Sequence, residues 1–291
     1  MPMWLLFALT ASGLTSILPI INKRLLTDAP VSLVAWAVNA LSLPLLAAAA
    51  LALSPVPEVD EVFWLGILAS GVLNLIATLL ATQALKMGDA SLVTPLLGFN
   101  PLFALLVGAV ALGEMPNPQG LAGILIILAG GYLLNLGELR SGLLAPLLGL
   151  LRRPATLLAI AASCAWGVTP VTEKLAMLHS QPPDPPLVAF GSTAVMSMLL
   201  FPAGWRRSER PLAQLRGHWK GYGAAALIAG IAPVFGFTAI GLGFVGYVTA
   251  IFKLSAVFSV LWAALVLREP EPGRRLAAAG VMVVGATVMS L

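Results

Sequence analysis

Charge is scarce in this sequence: 16 Lys and Arg and 12 Asp and Glu among 291 residues, or 10% charged side chains. A soluble domain carries about a quarter charged residues, so this composition does not supply a water-exposed surface. The one cysteine, Cys164, lies inside an apolar segment; it has no intrachain disulfide partner and reads as a small core residue. The two histidines, His179 and His218, fall in connectors, and no aspartate sits mid-segment in an apolar run. An intramembrane hydrolase or metal enzyme therefore lacks its usual parts, and neither a metal nor a cofactor is expected. No Walker A pattern occurs, which excludes ATP as the energy source. Gly241-Leu242-Gly243-Phe244-Val245-Gly246 spells the dinucleotide fingerprint. That motif needs a preceding strand and a following amphipathic helix, and both neighbours here are apolar helices, so it is rejected.

What the chain has instead is apolar surface, with 59% hydrophobic side chains and a mean hydropathy of +0.97. It reads as a membrane protein. A helix needs roughly 20 apolar residues to cross a hydrocarbon core about 30 Å thick. Apolar runs bounded by Pro, Gly and charge predict ten spans, at 3–24, 31–53, 62–85, 90–112, 118–136, 155–178, 186–204, 219–241, 245–267 and 273–290. Short connectors take up the rest, leaving no room for a separate soluble domain. The first run lacks preceding basic residues and is followed by Lys23 and Arg24, which predicts a retained helix rather than a cleaved signal. Met87 to Asp89 and Gly241 to Phe244 are very tight turns, so the spans they join are antiparallel neighbours.

Two stretches copy each other without a gap, Ala90 to Gly131 and Val245 to Ala286. Val93-Thr94 meets Val248-Thr249, Phe103 meets Phe258, Glu114 meets Glu269 and Gly130 meets Gly285. Ala11-Ser12, Pro19 and Lys23 likewise meet Ala162-Ser163, Pro170 and Lys174. The chain divides into a five-helix repeat at 1–138, a connector at 139–154 and a second five-helix repeat at 155–291. The connector after the second span holds Glu58, Asp60 and Glu61, whereas its counterpart holds Arg206, Arg207 and Arg210. Equal sequence with opposite flanking charge predicts halves inserted in opposite directions, the pattern of secondary transporters. The expected fold class is all-α: a polytopic membrane protein of ten transmembrane helices arranged as two inverted repeats. Nearly all Lys and Arg fall in connectors on one face, with Lys174 opposite. The positive-inside rule makes that face cytoplasmic, puts both termini outside and removes the case for nucleic-acid binding that the net charge of +4 suggests.

The run Ala84-Leu85-Lys86-Met87-Gly88-Asp89-Ala90-Ser91, then Pro95, Pro101-Leu102-Phe103, Leu112-Gly113-Glu114-Met115-Pro116 and Gly120-Leu121-Ala122-Gly123, resembles the EamA-type repeat of the drug/metabolite transporter superfamily. Ala165-Trp166-Gly167 looks like the same family, and the resemblance covers essentially the whole chain as two repeats. It implies a ten-helix carrier with a central cavity lined by helices from both halves. Members move amino acids, nucleosides, drugs, choline-like cations or sugar phosphates, often outward. In the related plastid phosphate translocators a lysine on the ninth helix contacts substrate phosphate, and Lys253 is similar in place. Those proteins carry an adjacent arginine where this chain has Leu254, which weakens a phosphate reading.

From the residues themselves, Lys253 is the most informative side chain. It lies about eight residues into the ninth span, roughly 12 Å deep at 1.5 Å per residue. Such a Lys costs about 2.5–3.5 kcal/mol on insertion scales. It either snorkels or closes a structural ion pair, or it serves substrate or coupling. Its repeat partner is Gly98, so packing does not require the charge. Glu173 has a similar depth in the sixth span; it either pairs with Lys253 and opens to a substrate or proton, or bonds Lys174 or water at the interface. Asn22 is its neutral counterpart. Pro19, Pro170, Pro95, Pro101 and Pro233 are candidate hinges or helix breaks, or else static kinks. Asn39, Asn74, Asn100, Gln83, Thr94, Thr249 and Ser255 either orient a polar solute or join helix to helix. Trp166 either stacks on a substrate or packs.

The expectation is a secondary or facilitative transporter of the plasma membrane, not an enzyme. It would export a small polar or amphipathic metabolite, such as an amino acid or organic anion, by alternating access. Substrate, a coupling proton and membrane lipids are the expected partners, and oligomeric state is left open. A lipid-handling flippase of the same fold is the alternative, with a membrane-embedded enzyme behind it.

Overall fold

The computed structural model describes residues 1–53, 55–88, 90–135, 153–262 and 272–290. It is almost entirely helical. Seven segments are long and apolar enough to span, and the shorter apolar helices Pro118–Leu134, Val245–Ser259 and Ala277–Met289 bring the described spans to ten. The chain is an all-α polytopic membrane protein, and its described helix ends fall within a few residues of the boundaries set by the apolar runs; the ends expected at 136 and 267 lie outside the described residues.

Among the described residues three spans are split. The first consists of α1 (Met3–Thr15) and α2 (Leu18–Leu25), the fourth of α5 (Ala90–Leu97) and α6 (Asn100–Ala111), and the ninth of α12 (Val245–Phe252) and α13 (Ser255–Trp262). The others are single helices: α3 (Val31–Leu53), α4 (Glu61–Met87), α7 (Pro118–Asn135), α8 (Pro154–Leu178), α9 (Pro185–Arg206), α11 (Trp219–Leu242) and α14 (Pro272–Ser290). Two features were not expected from the sequence. The basic connector contains a short helix, α10 (Pro211–Gly217), and Glu58–Val59 (β1) pairs antiparallel with Ser180–Gln181 (β2).

The helices group into two compact units, and each draws on both sequence repeats. One contains residues 1–5, 76–171 and 243–291, the other residues 6–75 and 172–242. In the first, α7 packs on α14 and α6 on α12; in the second, α3 packs on α9 and α11. Repeat-equivalent spans thus lie side by side within a unit. Between membrane helices the gain comes from close packing, which favours small residues at the seam. A Cβ on Gly123 would lie 2.8 Å from the Gly285 carbonyl, and one on Gly285 would lie 2.7 Å from the backbone nitrogen of Ile127, so α7 and α14 touch backbone to backbone. In the second unit, Trp36 of α3 packs at a tilt on Phe201 and edge-on against Trp205 of α9, at 5.5 and 5.6 Å between ring centroids.

Candidate functional site

The breaks in the fourth and ninth spans are copies of each other. In the fourth, the Gly98 and Phe99 N–H groups donate to the carbonyls of Pro95 and Leu96. In the ninth, those of Lys253 and Leu254 donate to Ala250 and Ile251. All four are i→i−3 bonds in place of the α-helical i→i−4 pattern, and they fall at aligned repeat positions. Pro101 favours the first break, because it has no N–H for the Leu97 carbonyl and its ring crowds that group. Pro19 stands in the same place after the break in the first span, as the second residue of α2. The ninth span has Ala256 at the position of Pro101, so its break has no proline behind it.

Lys253 occupies this proline-free break, as the C-cap of α12. It is half-buried and lines a small cavity of about 50 Å³ with Gly98, Phe99, Tyr132, Ala256 and Met282. Lys253 is the charged group of that wall, and Tyr132, whose ring lies 6.4 Å from that of Phe99, brings a hydroxyl. Among the described residues no carboxylate forms an ion pair with Lys253. A cavity of this size holds a water or two and is too small for a metabolite. Thr249, one turn before Lys253, is buried, and its hydroxyl donates to the carbonyls of Val245 and Gly246 on its own helix.

Glu173 belongs to the other unit, on the second half of α8. It is 6% exposed, and a carboxylate oxygen accepts a 2.8 Å hydrogen bond from Ser70 Oγ of α4. Local sequence creates this pair. A Cβ on Gly66 would lie 2.8 Å from the Thr172 carbonyl and 2.9 Å from Ala176 Cβ, so its absence lets α4 press onto α8. Ser70 follows Gly66 by one turn and so shares its face.

The remaining candidates divide between the units. Asn100, Thr94, Ser255 and Trp166 join Lys253 in the first, all half-buried, and Asn100 Oδ1 is buried without a hydrogen-bond partner among the described residues. Trp166 precedes Gly167, where α8 closes on the Asn100 carbonyl and Phe103 of α6. Asn22, Asn39 and Asn74 join Glu173 in the second unit. Asn22 Oδ1 is buried and has no hydrogen-bond partner among the described residues, whereas Asn39 Nδ2 donates to the Ala35 carbonyl. Pro170 and Pro233 lie inside helices that continue through them, and Pro95 lies inside α5. Glu269, the repeat counterpart of Glu114, lies outside the described residues.

Sequence reasoning missed Tyr132 and Ser70. A lone Tyr near the end of a span reads as an interface anchor, and a membrane Ser reads as packing. It also missed the second break, although alignment of Lys253 with Gly98 carried the signal.

A model of the EamA-like transporter family matches residues 2–136 and 153–291, once for each repeat. A solved structure described only as the crystal structure of a protein is 21% identical and superposes with a TM-score of 0.80, covering 100% of this chain and 99% of that one. That likeness shows a shared fold. No curated protein matches the sequence.

Proposed function

The chain belongs to the EamA-like transporter family, a group of membrane transporters in the drug/metabolite transporter superfamily, and from that premise we propose that it carries a small metabolite bearing an anionic group. The observation that carries this reading is Lys253: an ammonium at the break of a discontinuous span, lining a cavity, with no carboxylate paired to it among the described residues. Discontinuous helices supply substrate sites in secondary transporters because a break places polar groups at membrane depth. An uncompensated cation there costs free energy that a bound anion offsets.

The substrate class is an amino acid or an organic anion. Lys253 takes the carboxylate, and Glu173, buried within its own unit, holds a coupling proton. The cavity at Lys253 admits only water, so loading requires it to widen, as alternating access provides. Net flux is outward across the plasma membrane, with both termini outside as the charge bias directs.

The test is transport by purified protein in proteoliposomes, screened against amino acids and organic anions. Lys253→Ala abolishes uptake of the anionic substrate, and Glu173→Gln abolishes uptake or its pH dependence. Transport unchanged in both variants overturns the assignment. Reporter fusions at both ends test orientation, and cytoplasmic termini overturn that part.

A further inference from the structure

The unit that holds Glu173 also carries an apolar surface groove of about 700 Å³ between α3 and α11, with α10 across its mouth. Leu41 and Leu45 of α3 and Gly223 and Leu227 of α11 line it, with Arg216 and Trp219 in the lining at its α10 end. Leu41 is 51% exposed, Leu227 52% and Trp219 65%, so the groove faces outward from its unit. From Trp219 to Leu227 it follows two turns of α11, about 12 Å at 1.5 Å per residue.

The entrance is built. Gln214 Nε2 donates to the Asp28 carbonyl at 2.7 Å, and His218 Nε2 lies 2.8 Å from Asp28 Oδ2. Contacts on either side of Arg216 therefore pin α10 to the turn after α2. Asp28 turns its carboxylate to His218, and Arg216 forms no ion pair among the described residues. Arg206, Arg207, Arg210 and Lys220 lie on the same connector, and Lys220 Nζ stands 5.7 Å over the Trp219 ring. A basic juxtamembrane segment with Trp at its edge is the composition that meets anionic headgroups.

We propose that this groove binds one anionic glycerophospholipid, its phosphate on Arg216 and one acyl chain laid between α3 and α11. The charge at the mouth and the apolar walls below match the two ends of that molecule. The assignment is independent of which metabolite the protein carries.

Gly223 makes the proposal testable without damage to the fold. Gly223 lines the groove and a Cβ there meets nothing within 4 Å, so Gly223→Leu starts its side chain in open space. The full-length protein in detergent is titrated with phosphatidylglycerol and with phosphatidylcholine of the same chains, and retained lipid is read by native mass spectrometry. The parent protein retains one phosphatidylglycerol with roughly fivefold preference, the factor expected of one basic contact near the surface. Arg216→Gln brings the preference to about one, Gly223→Leu abolishes retention of that lipid, and Arg210→Gln, away from the groove, leaves both unchanged. Equal retention of the two lipids by the parent, or full retention by Gly223→Leu, overturns the site. So does an Arg210→Gln effect as large as that of Arg216→Gln, which would mean diffuse charge. Competition by glycerol phosphate as strong as by the lipid overturns the acyl-chain half of the assignment.

Discussion

Glu114 Oε2 accepts a 2.6 Å hydrogen bond from the backbone N–H of Val245, the first residue of α12 and 131 positions along the chain. Gly113 sets it up: at φ +68 it takes the left-handed conformation that ends α6 and turns the chain, and Glu114 follows, 7% exposed. The first N–H groups of a helix have no partner within it, and here a carboxylate from the other repeat supplies one. The Gly-Glu pair that marks the repeat is thus a helix cap delivered across the chain.

Glu114→Ala removes a buried, charge-assisted acceptor and is expected to lower stability by about 1.5–3 kcal/mol. Glu114→Gln keeps an acceptor oxygen in place and should recover more than half of that. Thermal unfolding in detergent checks both; equal losses for Ala and Gln would show that packing of the side chain, rather than its hydrogen bond, holds the turn.

Lys253→Met is expected to stop transport and raise stability by about 1–3 kcal/mol, because it deletes an ammonium that has no ion-pair partner among the described residues and whose insertion is costly. A functional charge retained against stability behaves this way. If the variant is less stable than the parent, Lys253 belongs to the scaffold and the anion site must be sought elsewhere.

Glu173→Gln still offers Ser70 Oγ an acceptor, so its melting should stay within about 0.5 kcal/mol of the parent. Ser70→Ala, which leaves a buried carboxylate oxygen without its donor, should cost about 1–3 kcal/mol. This contrast makes any transport defect of Glu173→Gln a report on charge or proton binding. A Gln variant that unfolds as readily as Ser70→Ala would undo that logic.

The ten spans were legible because membrane helices are specified locally, by length and hydropathy. The repeat was legible as well, since positions such as Gly130 and Gly285 survive for the same reason in both copies: each lets its helix close on its neighbour. The grouping into units was not, because the pairing of α7 with α14, or of α3 with α9, is a tertiary choice made by small residues scattered along apolar runs. At the candidate site the deep charges stood out as the costly groups, while their surroundings stayed hidden. Ser70 differs from any other membrane serine only by lying one turn after Gly66. The β1–β2 pairing is two residues long on each side, too short to leave a periodic signal.

Beside that pairing, His179 Nδ1 lies 2.6 Å from Asp60 Oδ2, and the other Asp60 oxygen accepts from the N–H groups of Val62 and Phe63. The His179 hydrogen bond first, and then that of Phe63, hold the Asp60 carboxyl below its usual range. A carboxyl depressed in the folded state adds stability above its unfolded value of about 4 and loses it as pH falls through the folded value. The melting difference between the parent and Asp60→Asn should therefore be constant near neutrality and shrink below about pH 4. A difference that stays flat down to pH 3 would mean that the carboxylate contributes nothing by its charge.

The proline-free break at Lys253 bears on what holds the break at Gly98. If Pro101 alone caused it, Pro101→Ala would let α5 and α6 fuse into one helix, since the missing N–H and the ring clash would both be gone. The ninth span shows the same i→i−3 bonds with alanine at that position, so tertiary packing suffices to hold a break there. Gly246 closes α12 on Leu105 of α6, and Gly167 closes α8 on α6 at Asn100, fixing the second half of the fourth span independently of its proline. Pro101→Ala should therefore keep its break, with amides from Leu97 to Phe99 exchanging faster than those in the middle of α6 in hydrogen-exchange measurements. Uniform protection from Pro95 through Leu105 would instead mean that proline sets the first break and that only the second copy is maintained by its surroundings.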